Sequence, residues 1–223
     1  MIRAEIEDHY RQGAESARLE AAQGVELSSI ALGDARGLSA PAGVADAMLL
    51  LGPLYHLIEH IDQLGALREA RRILKPGGVL FAAAISRFAS LIDGLSSGDG
   101  LTSGDGLSSG DGLTSGAFQD AEFRKIVTAD LASGQHRNPT GNPAYFTTAY
   151  FHRPEELAAE VREAGFSSVR VFAIEGPVWC TPCFPQAWSN DAERNEIMRF
   201  LSLLEEEPSI QGASAHLLAM AQS

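Results

Sequence analysis

Residues 44–85 read VADAMLLLGPLYHLIEHIDQLGALREARRILKPGGVLFAAAI, and this stretch decides the fold. It begins with a nearly continuous apolar run at 44–51, which is typical of a strand buried on both faces of a parallel sheet. Residues 59–74 carry apolar side chains at helical spacing and are followed by a Pro-Gly-Gly stop. Residues 79–85 form a second apolar run. Two strands joined by a helix through short connections predict a βαβ unit and hence an α/β fold.

Patterns on either side of this unit predict further elements, all within a single domain spanning residues 1–223. Residues 2–22 are rich in Ala and Glu and predict a helix, whereas residues 25–31 predict a short strand. Asn190 and Glu193 have the spacing of a capping box at a helix start. Beyond the unit, the predicted helices cover residues 117–131, 153–164 and 190–204, and the predicted strands cover residues 166–174 and 216–221.

The composition argues against several classes of protein. The chain has 223 residues, of which 45% are hydrophobic, enough for one domain with a sizeable core. There are 17 Lys and Arg against 29 Asp and Glu, and the net charge of -12 repels phosphate backbones, so we expect no nucleic-acid partner. No apolar run is long enough for a membrane-spanning helix. The charged N-terminal residues lack the apolar core of a secretory signal, which predicts a cytoplasmic protein. The oligomeric state stays open.

Three blocks of sequence together carry a family resemblance. Residues 33–36 read GDAR, residues 46–57 read DAMLLLGPLYHL, and residues 68–80 read REARRILKPGGVL. As a set they resemble class I S-adenosylmethionine-dependent methyltransferases of the small-molecule type. The resemblance implies a Rossmann-like, doubly wound sheet with helices on both faces, and S-adenosylmethionine bound across the carboxyl ends of the strands. It also implies methyl transfer to a small-molecule acceptor.

The resemblance also implies roles for residues that would bind the cofactor. Asp34 and Ala35 would approach the adenine, where a carboxylate can accept a hydrogen bond from the exocyclic amine. Leu51 and Gly52 would lie at the end of the next strand, near the methionine part. Tyr55 would begin the wall between the cofactor and the substrate.

By the same resemblance, residues 117–152 are expected to form a lid-like insertion over the substrate; we call them the lid segment. Arg137 and Tyr145 in this segment become candidate substrate-binding residues. His56, which follows Tyr55 in the wall, and His136 in the lid segment are the candidate general bases if the acceptor starts protonated. No metal ligands are expected.

One departure from the family pattern affects the cofactor site. In the family, a glycine-rich turn of the form D-x-G-x-G lets the backbone approach the cofactor, and an acidic residue after the following strand holds the ribose hydroxyls. Both should precede residues 33–36, but between Ala21 and Gly33 there is a single glycine, Gly24, and room for one strand. We therefore expect a sheet that lacks two N-terminal strands, with residues 25–31 paired directly to residues 44–51.

The absence of the glycine-rich turn supports an alternative hypothesis, in which the protein is not an enzyme. The chain would then be a catalytically inactive, methyltransferase-like remnant that acts as a binding module or has no function. Binding of S-adenosylmethionine discriminates the two hypotheses.

Residues 95–116 read LSSGDGLTSGDGLSSGDGLTSG, a hexapeptide repeat. Gly, Ser and Asp dominate, and each unit offers one Leu for a core. This composition predicts a flexible surface insertion. A turn of β-solenoid and a calcium site at the recurring Asp residues are weaker alternatives.

Two short motifs suggest other chemistry. Residues 56–60, HLIEH, match the H-x-x-E-H pattern of inverted zinc peptidases, but no third ligand is identifiable. Residues 179–183, WCTPC, resemble a thioredoxin redox motif, but too little chain follows for the rest of that fold. Both are weak alternatives to the methyltransferase interpretation.

Overall fold

The computed structural model describes residues 31–96, 117–181 and 184–223. The predicted helix over residues 2–22 and the repeat units over 97–116 lie outside the described residues, and so does the predicted strand over 25–31 except for its last residue. The expected pairing of that strand with residues 44–51 therefore stays a prediction. Among the described helices, none combines the length and the apolar character that crossing a bilayer requires.

The described elements alternate between strands and helices along the chain. In order they are β1 (Ala45–Leu51), α1 (Pro53–His56), α2 (His60–Ile73), β2 (Leu74–Ser86), α3 (Ala89–Ser96), α4 (Ala121–Ser133), β3 (Gln135–His136), β4 (Ala149–His152), α5 (Pro154–Glu163), β5 (Ser167–Ala173), α6 (Phe184–Ser189), α7 (Asp191–Leu204) and β6 (His216–Gln222).

The predicted βαβ unit is confirmed. β1 and β2 are parallel and in register from Ala47 opposite Val79 to Leu51 opposite Ala83. The helix between them, α2, begins after Glu59 and ends at Ile73, within a residue of the predicted bounds. The unit forms because the apolar side chains of β2 and α2 are buried together. β1 buries only Leu50, and Leu49 and Leu51 are exposed, so the prediction of a strand buried on both faces is wrong for β1.

The sheet has six strands, in the order β3-β4-β2-β6-β5, with β1 also paired to β2. β6 runs antiparallel to both β2 and β5. β4 pairs in parallel with Ile85 and Ser86 of β2, beyond the point where β1 ends opposite Ala83. Because β6 occupies the other edge of β2, β1 and β4 follow each other along the same edge.

The main core lies on one face of this sheet. Alternate residues of β2 point into it and are buried, and α2 and α5 cover them. The buried side chains on this face include Leu80, Ala82 and Ala84 of β2, Leu64 and Leu67 of α2, Leu157 and Val161 of α5, and Leu217 and Ala219 of β6. The intervening side chains Phe81 and Ala83 point the other way and are half-buried. These elements confirm the predicted α/β fold.

Most other predicted elements are present with shifted ends. The predicted helix over 117–131 is a short 3-10 turn at Ala117–Gln119 followed by α4, because Asp120 interrupts it and caps α4 by accepting from the Glu122 amide. The predicted cap at Asn190 is confirmed, since its side chain accepts from the amides of Ala192 and Glu193. The predictions over 153–164, 166–174 and 216–221 correspond to α5, β5 and β6.

The strands β3 and β4 were not anticipated. They pair antiparallel with each other inside the lid segment, and β4 joins the main sheet. With two and four residues, they are too short for an alternating pattern to be recognised among the surrounding turn residues.

Candidate active site

The candidate residues lie along the carboxyl edge of the sheet. β1, β2 and β4 are parallel and their carboxyl ends reach this edge, where α1 and the first turn of α2 follow β1. β5 runs in the same direction as β2, because both are antiparallel to β6. The carboxyl end of β5 therefore reaches the same edge of the sheet. In open α/β sheets, ligands bind outside the carboxyl ends of the strands.

Gly52 is a buried backbone position directly after β1. Its φ of 137° is one that residues with a side chain rarely adopt. A Cβ atom placed there would lie 3.5 Å from the Tyr55 hydroxyl oxygen, and the Tyr55 amide donates to the Gly52 carbonyl at 3.2 Å. The Tyr55 side chain therefore lies over Gly52. Leu51, beside it, is exposed and is the residue of this pair that a ligand can contact directly.

Aromatic rings connect this wall to the lid segment. The rings of Tyr55 and His56 lie 4.7 Å apart, and the His56 ring is stacked at 6.4 Å from that of Phe146. Phe146 in turn lies 6.2 Å from His136. The structure thus brings both candidate bases next to Phe146, a residue that was not singled out from the sequence. His56 is exposed at the end of α1.

His136 is completely buried and both of its ring nitrogens are engaged. Nδ1 lies 2.9 Å from Oδ2 of Asp130, and Nε2 donates to the Tyr145 carbonyl at 2.7 Å. Because a carbonyl oxygen only accepts, Nε2 carries a hydrogen. Ser90 also donates to Asp130 Oδ2, at 2.7 Å, while the buried Oδ1 has no hydrogen-bond partner among the described residues. Both ring nitrogens of the buried His136 therefore face protein atoms.

The two candidate substrate-binding residues differ in their surroundings. Tyr145 is half-buried and donates its phenolic hydrogen to Asp120 Oδ2 at 2.6 Å. This hydrogen bond, reinforced by burial, raises the pKa of Tyr145 above its ordinary value of 10.0. Arg137 is exposed and donates to the Gln135 side chain at 3.0 Å. Tyr145 is therefore fixed in place, whereas Arg137 can reach a ligand by exchanging one surface hydrogen bond.

Asp34 lies in a loop that runs along α2. Arg36 donates to both oxygens of Asp34, at 2.6 Å for the shortest contact, and also to Asp62 in the first turn of α2 at 2.8 Å. The Arg36 hydrogen bonds lower the pKa of Asp34 to about 2. The first turn of α2 lies at the carboxyl edge, so Asp34 is at the same edge as Gly52. Ala35 is half-buried against the main core.

The rest of this loop is held by the other end of α2. Glu69 accepts from the Leu38 amide at 2.8 Å, and Arg72 donates to the Ala40 carbonyl at 2.8 Å. Directly before β1, the Val44 amide donates to the Ile73 carbonyl at the end of α2. The loop is thus attached at both ends of one helix, which fixes the position of Asp34.

Sequence analysis also missed a buried ion pair beneath the lid segment. Arg87 is only 3% exposed, and it donates to the Phe151 carbonyl at 2.8 Å and to Glu156 at 2.5 Å. Gly134, at the end of α4, lies against this guanidinium. The only signal in the sequence was the position of Arg87 directly after an apolar strand, which does not distinguish a buried arginine from an exposed one.

The residues of the H-x-x-E-H motif take part in a different arrangement. His60 contacts Glu160 and Glu163 of α5, each at 3.2 Å, and Glu160 also contacts the buried His152 at 3.0 Å. Within the described ranges, no three His, Cys, Asp or Glu side chains converge in a way that could hold a metal ion. Cys180 is exposed, and Cys183 lies outside the described residues.

Comparison with known protein families identifies part of the chain. Residues 8–82 match the family described as "Methyltransferase domain". The matched segment contains all three sequence blocks that carried the resemblance, and it bears out the resemblance to methyltransferases over these residues. No curated protein matches the chain.

Solved structures with a similar fold include several methyltransferases. An S-adenosylmethionine-dependent methyltransferase from Thermotoga maritima is 18% identical, with 85% of this chain and 61% of that chain covered and a TM-score of 0.44. One from Methanosarcina mazei is 14% identical and has a TM-score of 0.47, and the match covers 95% of this chain and 77% of that one. One from Mesorhizobium loti is 15% identical and has a TM-score of 0.48, and the match covers 92% of this chain and 75% of that one. The chain thus spans about three fifths of the first of these.

Proposed function

We propose, from the methyltransferase domain that residues 8–82 match, that this chain transfers a methyl group from S-adenosylmethionine to a small-molecule acceptor. The observation that carries the proposal is this match. The exposed Leu51 and the neighbouring Tyr55 support it, because they lie at the carboxyl edge of the sheet, where open α/β sheets bind their ligands.

The residues at this edge would bind and orient the cofactor. Leu51 and Gly52 would contact the methionine part, with Tyr55 as the wall next to the acceptor. Asp34 would accept from the adenine amine at Oδ2, in place of the long contact of 3.3 Å from Arg36 Nε, while Arg36 Nη2 keeps its contact at 2.6 Å. When bound, S-adenosylmethionine supplies an activated methyl group, so the protein needs mainly to align the acceptor and exclude water.

Proton removal from the acceptor would fall to His56. Its side chain is exposed at the wall, whereas His136 is buried and both of its ring nitrogens contact protein atoms, Asp130 and the Tyr145 carbonyl. The same contacts suit His136 to holding the lid segment in place. Arg137 and Tyr145 would contact the acceptor from the lid segment.

A second candidate function rests on a specific observation in the sequence. No Gly-x-Gly precedes Asp34, so backbone contacts and an acidic ribose partner known from the family are missing. Losing one hydrogen bond to a charged group costs roughly 1.5–3 kcal/mol, and about 1.4 kcal/mol is a factor of ten in affinity. Such a chain would bind the cofactor in the millimolar range and act without catalysis.

The decisive experiment is calorimetric titration of the full chain with S-adenosylmethionine, together with a labelled-methyl transfer assay. Asp34→Ala should weaken binding. Asp46→Ala serves as the matched control, because Asp46 is also an exposed carboxylate paired with a cation, Lys75, but lies at the opposite end of β1. Saturable binding with labelled product supports methyl transfer. Binding without product supports the non-catalytic function, and no binding at millimolar cofactor contradicts the methyltransferase proposal.

A further inference from the structure

A cavity of about 580 Å³ lies apart from the candidate active site. It is open to solvent and is bordered by the 3-10 turn at Gly176–Cys180, by α6 and by α7, all within the connection between β5 and β6. Its volume falls in the range of roughly 300–1,000 Å³ that small-molecule sites occupy. Its walls are mainly apolar and include Pro177, Val178, Ala187, Ile197, Phe200 and Leu201.

The apolar face of α7 is turned towards this cavity. Ile197, Leu201 and Leu204 line it at helical spacing, yet no residue of α7 is buried. Phe200, which also lines the cavity, is 53% exposed. A helix normally buries its apolar stripe against the rest of the protein, so the apolar surface of α7 would become buried only when the cavity is occupied.

The charges of the cavity wall have one sign. Glu193 and Glu196 are the only ionisable residues among the described lining residues. Glu196 pairs with Arg199, which lies outside the lining. The Glu193 carboxylate forms no hydrogen bond or ion pair with any described residue. An apolar cavity with an unneutralised carboxylate in its wall is complementary to a ligand that has an apolar body and one positive charge.

The cavity is held in shape at its base. Glu175, where the connection leaves β5, accepts from the Ser214 hydroxyl at 2.7 Å and from the His216 amide at 2.9 Å, where the connection returns to β6. Trp179 donates from Nε1 to the Ala213 carbonyl at 2.8 Å. These contacts fix the two ends of the connection to each other, so the cavity exists before any ligand binds.

We propose that this cavity binds a cationic amphiphile, a small molecule with an aromatic or alkyl body and a single ammonium group, with the ammonium at Glu193 and the body against Ile197, Phe200 and Leu201. This site is separate from the carboxyl ends of β1 and β2 and does not depend on methyl transfer.

The test is calorimetric titration of the full chain with three probes that share one body: phenylbutylamine, phenylbutanol and phenylbutyrate. We expect the amine to bind up to about fivefold more tightly than the alcohol, since Glu193 is exposed and a surface ion pair gives no more than that, and the carboxylate to bind weakest. Equal binding of the three probes, or tightest binding of the carboxylate, would overturn the proposal.

Two variants and a control locate the site. Glu193→Gln should reduce amine affinity to that of the alcohol and leave alcohol affinity unchanged. Asp191→Asn, which removes an 85% exposed carboxylate from the same helical turn outside the cavity, should change neither. Ala187→Phe should place a ring in the part of the cavity next to α6 and weaken binding of both probes. Melting temperatures establish that each variant is folded, and unchanged probe binding in Ala187→Phe would place the probes elsewhere and refute the assignment.

Discussion

Replacing Gly134 by alanine tests the packing that attaches the lid segment to the sheet. Gly134 ends α4 with a φ of 74°, in the left-handed region. A Cβ atom at this position would lie 2.4 Å from the Phe151 carbonyl oxygen and 2.5 Å from Nη2 of Arg87. Neither neighbour can move away easily, because one is backbone of the sheet and the other is a buried guanidinium.

The expected loss of stability has two parts. A residue with a side chain in the left-handed region costs roughly 1–2 kcal/mol. Displacing Arg87 breaks its charge-assisted contact with Glu156 or with the Phe151 carbonyl, which costs roughly 1.5–3 kcal/mol for one hydrogen bond to a charged group. Together, Gly134→Ala should lower the free energy of unfolding by about 3–5 kcal/mol, a large share of the ~5–15 kcal/mol typical of a domain.

Urea unfolding followed by circular dichroism measures this loss, and Gly141→Ala is the matched control. Gly141 has nearly the same φ, 70°, but a Cβ atom there would meet no atom within 4 Å. The control should therefore lose only the backbone part, about 1–2 kcal/mol. Equal losses in the two variants would refute the argument that Gly134 is required by Arg87 and Phe151.

Three further predictions concern histidines and their partners. Glu160→Ala should lower the free energy of unfolding in urea by about 1–3 kcal/mol, because it leaves a buried polar partner unpaired. His60→Ala should lower it by under about 1 kcal/mol, because His60 is 54% exposed. A larger loss for His60→Ala than for Glu160→Ala would contradict this. The hydrogen bond to Glu175 raises the pKa of His216 above 6.5. The protonated His216 therefore stabilises the fold below that pH, and this stabilisation is lost as the pH rises. The melting temperature should fall above pH 6.5, and His216→Asn should remove that fall. His56→Ala should leave the melting temperature nearly unchanged. If His56 is the general base, the same variant should reduce the rate of labelled-methyl transfer by roughly 100-fold or more. An unchanged rate would exclude His56 as the base.

The elements that were predicted correctly are those whose pattern is long and self-contained. The βαβ unit at residues 44–85 could be recognised because two apolar strands and an amphipathic helix each extend over seven or more residues. Asn190 could be recognised as a cap because its side chain bonds to amides two and three residues ahead. Both depend on contacts that are local in sequence or on the pairing of neighbouring strands.

The lid segment could not be predicted to the same depth, because its structure depends on distant contacts. β4 exists through pairing with Ile85 and Ser86, more than sixty residues earlier. The sequence placed His136 and Tyr145 in one region but gave no sign that the ring nitrogens of His136 are occupied by Asp130 and the Tyr145 carbonyl. Burial and hydrogen bonding of a polar residue are properties of the assembled fold, so the sequence could name candidates without assigning their roles.

Backbone strain distinguishes Phe146 from its surroundings. Among the described residues, only Phe146 and Ser168 are non-glycine residues with positive φ, at 60° and 52°. Ser168 has a local cause, because the pairing of β5 with β6 shifts register between Ser167 and Arg170, as in a β-bulge. Phe146 ends the 3-10 turn at Pro143–Tyr145, where its amide donates to the Pro143 carbonyl at 3.3 Å. Its ψ of -175° nevertheless places it in a backbone region that is ordinarily adopted by glycine alone.

The strain at Phe146 occurs where its ring lies between His56 and His136, and where the buried Asp130 Oδ1 lacks a described partner. Strained backbone persists only where the surrounding structure enforces it, and it is found preferentially at functional sites. Packing alone would be served as well by an unstrained residue, so the strain favours a role for this edge in holding the wall at His56 against the lid segment. Phe146→Gly, which relieves the strain and removes the ring, should therefore alter acceptor binding more than stability.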